Sequence, residues 1–195
     1  MKNLTIFVLM SIFWVNSAVF AKEKPEQWYT TEKINAEWGN RPGIFDRQSV
    51  ADLQMKLAES RAVWEKEKET HKNSYTYTRS FESWVGFGNN TTVKVQNGKV
   101  VERRFQEFDR DRKITSSYVE GPNDIGRHNE GEPPVTMEVL YEECARSHLK
   151  QDPKTKVISL SLSPEGILTG CSFRAIRCKD DCSRGLDGLS FNWDE

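Results

Sequence analysis

Thr92-Val93-Lys94-Val95-Gln96-Asn97-Gly98-Lys99-Val100-Val101-Glu102-Arg103-Arg104-Phe105 is the stretch on which the fold turns. Valines alternate with polar residues up to Asn97-Gly98 and apolar residues resume after it, so two antiparallel strands, residues 92–96 and 99–108, meet at a hairpin. Two registers compete. A two-residue loop sets Val95 opposite Val100, but carried on unbroken it mixes valines with Glu102 and Arg104 on one face. A three-residue loop, with Gly98 left-handed as a G1 bulge, shifts the parity by one. Val93, Val95, Val101 and Phe105 then share a face broken only by Arg103. A one-residue slip turns a whole strand inside out, so burial selects the bulged form, with those four residues beneath the first helix and Val100 more exposed.

Upstream, Ser74-Tyr75-Thr76-Tyr77-Thr78 is β-branched and aromatic and reads as a strand, with a turn at Gly86, Gly88, Asn89 and Asn90. Before it, Val50, Leu53, Leu57 and Trp64 recur at helical spacing, and Ser49 with Asp52 forms a capping box, so a helix runs over residues 49–71 and ends at Lys72-Asn73. Downstream, residues 109–135 lose all periodicity and read as a long loop of the kind that often carries function, with His128 inside it. Thr136 then caps a second helix over residues 137–149, with Met137, Leu140, Tyr141 and Cys144 on one face. Three strands follow, marked by Ile158/Leu160/Leu162, by Cys171/Phe173/Ala175 and by Leu189/Phe191/Trp193, each alternating with polar residues. The order α-βββ-α-βββ, with hairpin-linked strands, predicts an α+β domain: an antiparallel sheet with two helices packed on one face.

The N-terminus reads as a signal peptide over residues 1–21: Lys2, an apolar run over residues 6–15, and Val19-Phe20-Ala21 at the cleavage site. The run is shorter than the ~20 residues of a membrane span. Residues 22–45 are an irregular lead-in carrying Trp28, Tyr29 and Trp38, whose aromatic rings should pack onto the domain of residues 46–195. Without Lys2, 27 basic side chains face 29 acidic ones, a net charge of −2. That balance offers no long-range attraction to nucleic acid or to a membrane surface.

Cys144, Cys171, Cys178 and Cys182 make an even set in a secreted chain, which implies disulfides with three connectivities open. Cys144 on the apolar face of the second helix and Cys171 on the core face of a strand point to a 144–171 bridge, leaving Cys178–Cys182 to close a tight loop. No Gly-x-Ser-x-Gly elbow, His-Glu-x-x-His or phosphate-binding glycine loop occurs, and His71, His128 and His148 are scattered. No catalytic, cofactor-binding or metal-ligating set is assigned, and a calcium site at Asp180, Asp181 and Asp187 lacks EF-hand spacing. Asn89-Asn90-Thr91-Thr92 holds two overlapping glycosylation sequons, of which one, at Asn89 or Asn90, should be used.

The stretches 74–79, 92–101 and 136–141, in that order, resemble a family of small secreted domains of unknown function found in bacteria and marine invertebrates, whose relatives include organic matrix proteins of stony-coral skeletons. The resemblance covers residues 60–195 and rests on structural motifs, so it implies no catalytic residues. It implies a secreted, non-enzymatic component of an extracellular matrix, mineralised skeletons included, whose partners are matrix components or another secreted protein. The alternative is a binding or inhibitory module of cystatin-like architecture, although no Gln-x-Val-x-Gly loop is present; an unrecognised hydrolase is the remaining reading.

Overall fold

A computed structural model describes residues 49–178 and 182–194, so the signal segment, the lead-in and its aromatic residues lie outside the described residues. The chain divides after Asp46, and every element below belongs to the unit Arg47–Glu195. The domain is α+β. Its elements are α1 (Val50–Thr70), β1 (Tyr75–Glu82), β2 (Gly88–Gln96), β3 (Lys99–Phe108), β4 (Ile114–Glu120), α2 (Met137–Glu143), a π-helical stretch (Cys144–His148), β5 (Lys156–Leu162), β6 (Leu168–Ala175), β7 (Arg184–Leu186) and β8 (Leu189–Trp193).

Two features correct the sequence reading. The strands form two antiparallel sheets, ordered β4-β3-β2-β1-β8 and β5-β6-β7, where a single sheet was expected. Each half also contributes four strands rather than three, because β4 lies inside the stretch read as loop and β7 inside the cysteine-rich segment.

Helix α1 starts as its sequence dictates. The Asp52 N–H donates to Ser49 Oγ (3.1 Å) and the Ser49 N–H to Asp52 Oδ2 (3.2 Å), so two amides left open at the helix start find partners. Leu53, Leu57, Ser60 and Trp64 form the buried stripe. Trp64 stacks on Trp193 (centroids 5.1 Å apart) and meets Tyr75 edge-on (4.9 Å), tying α1 to β1 and β8. The helix stops where Lys72 and Asn73 turn left-handed (φ 51° and 49°).

The decisive hairpin combines both registers. Asn97 and Gly98 both have positive φ (50° and 73°), the type I′ arrangement whose twist suits paired strands, and Gln96 and Val95 lie opposite Lys99 and Val100. The G1-bulged loop is therefore overturned. The parity shift that burial demands falls further along: the register slips between Lys94 and Val95, so Lys94 faces Glu102, Val93 faces Arg103 and Val101 is the extra residue. Val93, Val95 and Phe105 are buried on one face as expected. Val100, not Val101, packs against the core, since it lies directly across from buried Val95.

Helix α2 is entered at Thr136, although the Thr136 side chain makes no cap; the phenol oxygen of Tyr75 accepts the Met137 N–H instead (2.9 Å). The π-helical stretch closes with the Leu149 N–H on the Cys144 C=O (2.9 Å). Cys144, His148 and Leu149 are all buried as a result. Cys144 is bridged to Cys171 (Cα–Cα 5.7 Å), which staples the π-helical stretch to β6, and Cys178 is bridged to Cys182. A polar node completes the core: Ser60 Oγ donates to the Gly166 C=O (2.6 Å) and lies 2.8 Å from the Tyr141 hydroxyl, which accepts the Leu168 N–H (3.0 Å).

Candidate functional site

The inner face of the five-stranded sheet is laid out in cross-strand rows. One row is Trp193, Tyr75, Val95 and Val100; the next is Phe191, Tyr77, Val93, Arg103 and Glu120; the third is Leu189, Arg79, Thr91, Phe105 and Tyr118. The first row and the β8–β2 part of the second meet the hydrophobic core. Over the polar remainder runs residues 121–136, a strap that accounts for most of the segment read as loop.

At the centre of this polar half Arg103 and Glu120 are 2% and 0% exposed. The Glu120 carboxylate accepts the backbone N–H groups of Gly126 and His128 (both 2.7 Å), and it lies 3.0 Å from His128 Nδ1 and 3.4 Å from the Arg103 guanidinium. Arg103 also donates to the carbonyls of His128 (3.0 Å) and Glu130, and the Tyr118 hydroxyl donates to the Glu130 carbonyl as well. The His128 ring stacks on Tyr118 (4.0 Å), which stacks on Phe105 (5.2 Å). Further along, Glu132 pairs with Arg79, its N–H donates to Thr91 Oγ1 (3.0 Å), and the Val135 carbonyl accepts from Tyr77 (2.6 Å). Gly131 lies flush on the sheet: with φ of 75°, a Cβ there would sit 2.6 Å from both the Phe105 ring and Thr91 Oγ1.

This cluster has the look of acid–base machinery, but its electrostatics point elsewhere. Burial pushes the Glu120 carboxyl up, yet the His128 and Gly126 N–H groups, the His128 ring and the Arg103 guanidinium outweigh it and hold the pKa at about 2. A general acid or base needs a pKa near its working pH. Glu120 is held as an anion at neutral pH, and its acceptor capacity is taken up by the strap. Its job is to fasten a segment without regular secondary structure to a sheet. The other histidines are also engaged in packing: His71 stacks on Trp193 (4.6 Å), and His148 lies against Phe173 (5.8 Å) and 3.7 Å from Glu143.

The surface feature that suggests binding is at the end of the same sheet. Trp84 is 86% exposed at the tip of the β1–β2 hairpin, flanked by Phe81 (49%) and Phe87 (45%), with Ile114 (47%) at the start of β4. The tip is closed by its own hydrogen bonds: the Ser83 N–H donates to the Phe87 carbonyl and the Gly86 N–H to the Ser83 carbonyl, both at 2.8 Å. Glu82, Gly88, Phe108 and Ile114 cross this end in one row, so the β1–β2 and β3–β4 hairpin tips lie side by side. Gly88 leaves room for the Phe108 ring, and Arg112 lies over that ring (4.8 Å) while pairing with Glu82 (2.6 Å). Three exposed aromatic rings on one braced hairpin, beside Ile114 and the Arg112 guanidinium of the next, make a surface suited to recognition.

Sequence reasoning missed this end, although Phe81, Trp84 and Phe87 were in plain view. It put the turn at residues 86–90, whereas the structure puts it at residues 83–87, with Trp84 at its apex. The same shift moves the sequons: Asn89 and Asn90 lie in β2, half-buried, Asn89 on the inner face with Thr91 and Asn90 on the outer face with Thr92. Asp180 and Asp181 lie outside the described residues, and Asp187 accepts from Ser183 Oγ (2.6 Å). Among the described residues no group of three or more His, Cys, Asp or Glu side chains is placed to hold a metal ion, and no helix is long and apolar enough to cross a membrane. No family model, curated protein or solved structure matches the chain.

Proposed function

We propose that the protein is a secreted, non-enzymatic component of an extracellular organic matrix, mineralised skeletal matrices included, and that it engages the matrix through the aromatic end of its larger sheet. The observation that carries this reading is the exposure of Trp84, Phe81 and Phe87 on a hairpin tip held by short hydrogen bonds. Two disulfides suit an oxidising compartment, and the buried Glu120 carboxylate, with its histidine and arginine neighbours, serves the strap. The resemblance to secreted matrix domains supports the same assignment. A glycan on this protein would project from the outer face of the sheet at Asn90, clear of the strap.

Co-sedimentation of the mature chain with insoluble matrix from its source tissue, and with purified polysaccharide fibres, tests the proposal. Retention that falls about tenfold in Trp84→Ala and Phe87→Ala variants, with folding intact, supports it. Retention indifferent to both substitutions overturns the aromatic end as the binding surface. Capture of a soluble secreted hydrolase in place of any polymer would favour the inhibitory alternative.

A further inference from the structure

Among the described residues the two sheets leave four edges, and these are not equally protected. A sheet edge presents unpaired N–H and C=O groups, and natural proteins blunt it with charge, bulges, brevity or cover. β4 carries a bulge at Thr115, because Ser116 faces Glu107 while Ile114 faces Phe108, and its last residue is the inward-turned Glu120. β7 is three residues long and opens on Arg184, and β8 is five residues long. β5 is different. It runs seven residues, Lys156–Leu162, at the edge of the three-stranded sheet, and after Lys156 it reads Val157-Ile158-Ser159-Leu160-Ser161-Leu162. That run holds no charge, proline or glycine, and the register slip between β5 and β6 skips Thr169 on the β6 side, so β5 itself is unbroken. Ser159, Ser161 and Leu162 are exposed.

We propose that β5 is a self-association edge, and that a second copy of this chain pairs with it antiparallel about Leu160. The sequence is self-complementary in that register. Leu160 falls opposite Leu160 of the second copy, Ile158 opposite Leu162, and Ser159 opposite Ser161, so apolar side chains meet apolar ones and serines meet serines. Lys156 arrives at the turn of the second copy that carries Glu165, which places opposite charges at both ends of the contact. In an antiparallel pair every second residue turns both its N–H and its C=O to the neighbour, so the groups on the open side of β5 would all be engaged. The product is a continuous six-stranded sheet across a two-fold axis, an isologous interface. It lies on a different sheet from the aromatic end, so each dimer would present two binding ends.

The test is the mass of the mature, disulfide-intact chain by sedimentation velocity across a concentration series, with circular dichroism to confirm folding. A concentration-dependent dimer is expected. Ser159→Lys should weaken it at least about tenfold by setting positive charge at the two-fold. The double variant Ser159→Lys/Ser161→Glu should restore it, because this register sets each introduced amine opposite an introduced carboxylate. A monomer at every concentration overturns the proposal, as does a dimer that Ser159→Lys leaves unchanged. A folded double variant no better than Ser159→Lys overturns the register.

Discussion

Two halves of one sheet face are covered by different means. Towards β8 and the Asn97-Gly98 turn, Tyr75, Tyr77, Val93, Val95, Phe191 and Trp193 meet α1 and α2. A helix satisfies its own backbone, so it asks only for apolar surface from the sheet. Towards β4, the cover is the strap of residues 121–136, whose amides and carbonyls have no helix or ladder to join. Every strand beneath it therefore supplies a polar partner to that backbone: Tyr77 from β1, Thr91 from β2, Arg103 from β3, Tyr118 and Glu120 from β4. Buried charge in this domain follows from covering a sheet with irregular chain.

The sharpest way to break that comparison is to remove one member from each half. Arg103→Ala or Glu120→Ala leaves the opposite charge buried and should cost about 3–5 kcal/mol, the range expected for Trp64→Ala in the helix-covered half. Urea melts measure both. The two halves should separate in a double replacement: Arg103→Met/Glu120→Leu stays well below the parent, because the strap carbonyls of His128 and Glu130 and the amides of Gly126 and His128 still lose their partners. Recovery to the parent stability would show that the pair serves itself and not the strap. Acid should discriminate similarly. The Glu120 carboxyl is held below its ordinary 4.5, so its contribution is complete above that value and drains away as pH falls through 4.5 towards 2. The acid limb of a stability–pH profile should flatten in Glu120→Gln and persist in Trp64→Phe.

Next in size is the staple. Replacing Cys144 and Cys171 together by alanine should cost about 3 kcal/mol, since the bridge closes a loop with a sequence separation of 27. Differential scanning calorimetry checks it. Thr91→Val, which keeps the shape but withdraws the acceptor of the Glu132 N–H, should cost about 1–3 kcal/mol and raise hydrogen exchange in the strap before the helices. Smallest is Trp84→Ala, within about 0.5 kcal/mol of the parent in stability, since the ring stands in solvent. A larger loss would mean the aromatic end packs internally and is no recognition surface.

The same division explains what could be read from the chain. Where cover is helical, apolar spacing carries the information: Leu53, Leu57 and Trp64 mark α1, and Leu189, Phe191 and Trp193 mark β8 with the correct inward face. Where cover is the strap, partners are polar and periodicity is silent. Ile114-Thr115-Ser116-Ser117-Tyr118-Val119-Glu120 is an edge strand that buries only its final glutamate, so it read as loop. Arg103 stood out as the one residue breaking a valine face, but no spacing named Glu120 as its buried partner. The hairpin shows a finer limit. Burial fixed the parity of Phe105 against Val93, but it does not say where the extra residue goes, and the Asn-Gly turn kept its two-residue form by passing the bulge on to Val101. The aromatic end is legible only once the turn is placed at Trp84.

The strap also sets an order of events. Its landing surface is assembled from side chains of four strands, and its contacts reach back 27, 41 and 53 residues, to Arg103, Thr91 and Arg79. Until β1 to β4 are in register that surface does not exist, and the strap has no helix or hairpin of its own to form early. It should therefore dock once those strands are paired and leave before the sheet parts. Changes at Thr91, Glu120 or Arg79 should quicken unfolding and leave the folding rate nearly alone, which would rest the lifetime of the native protein on its least regular segment.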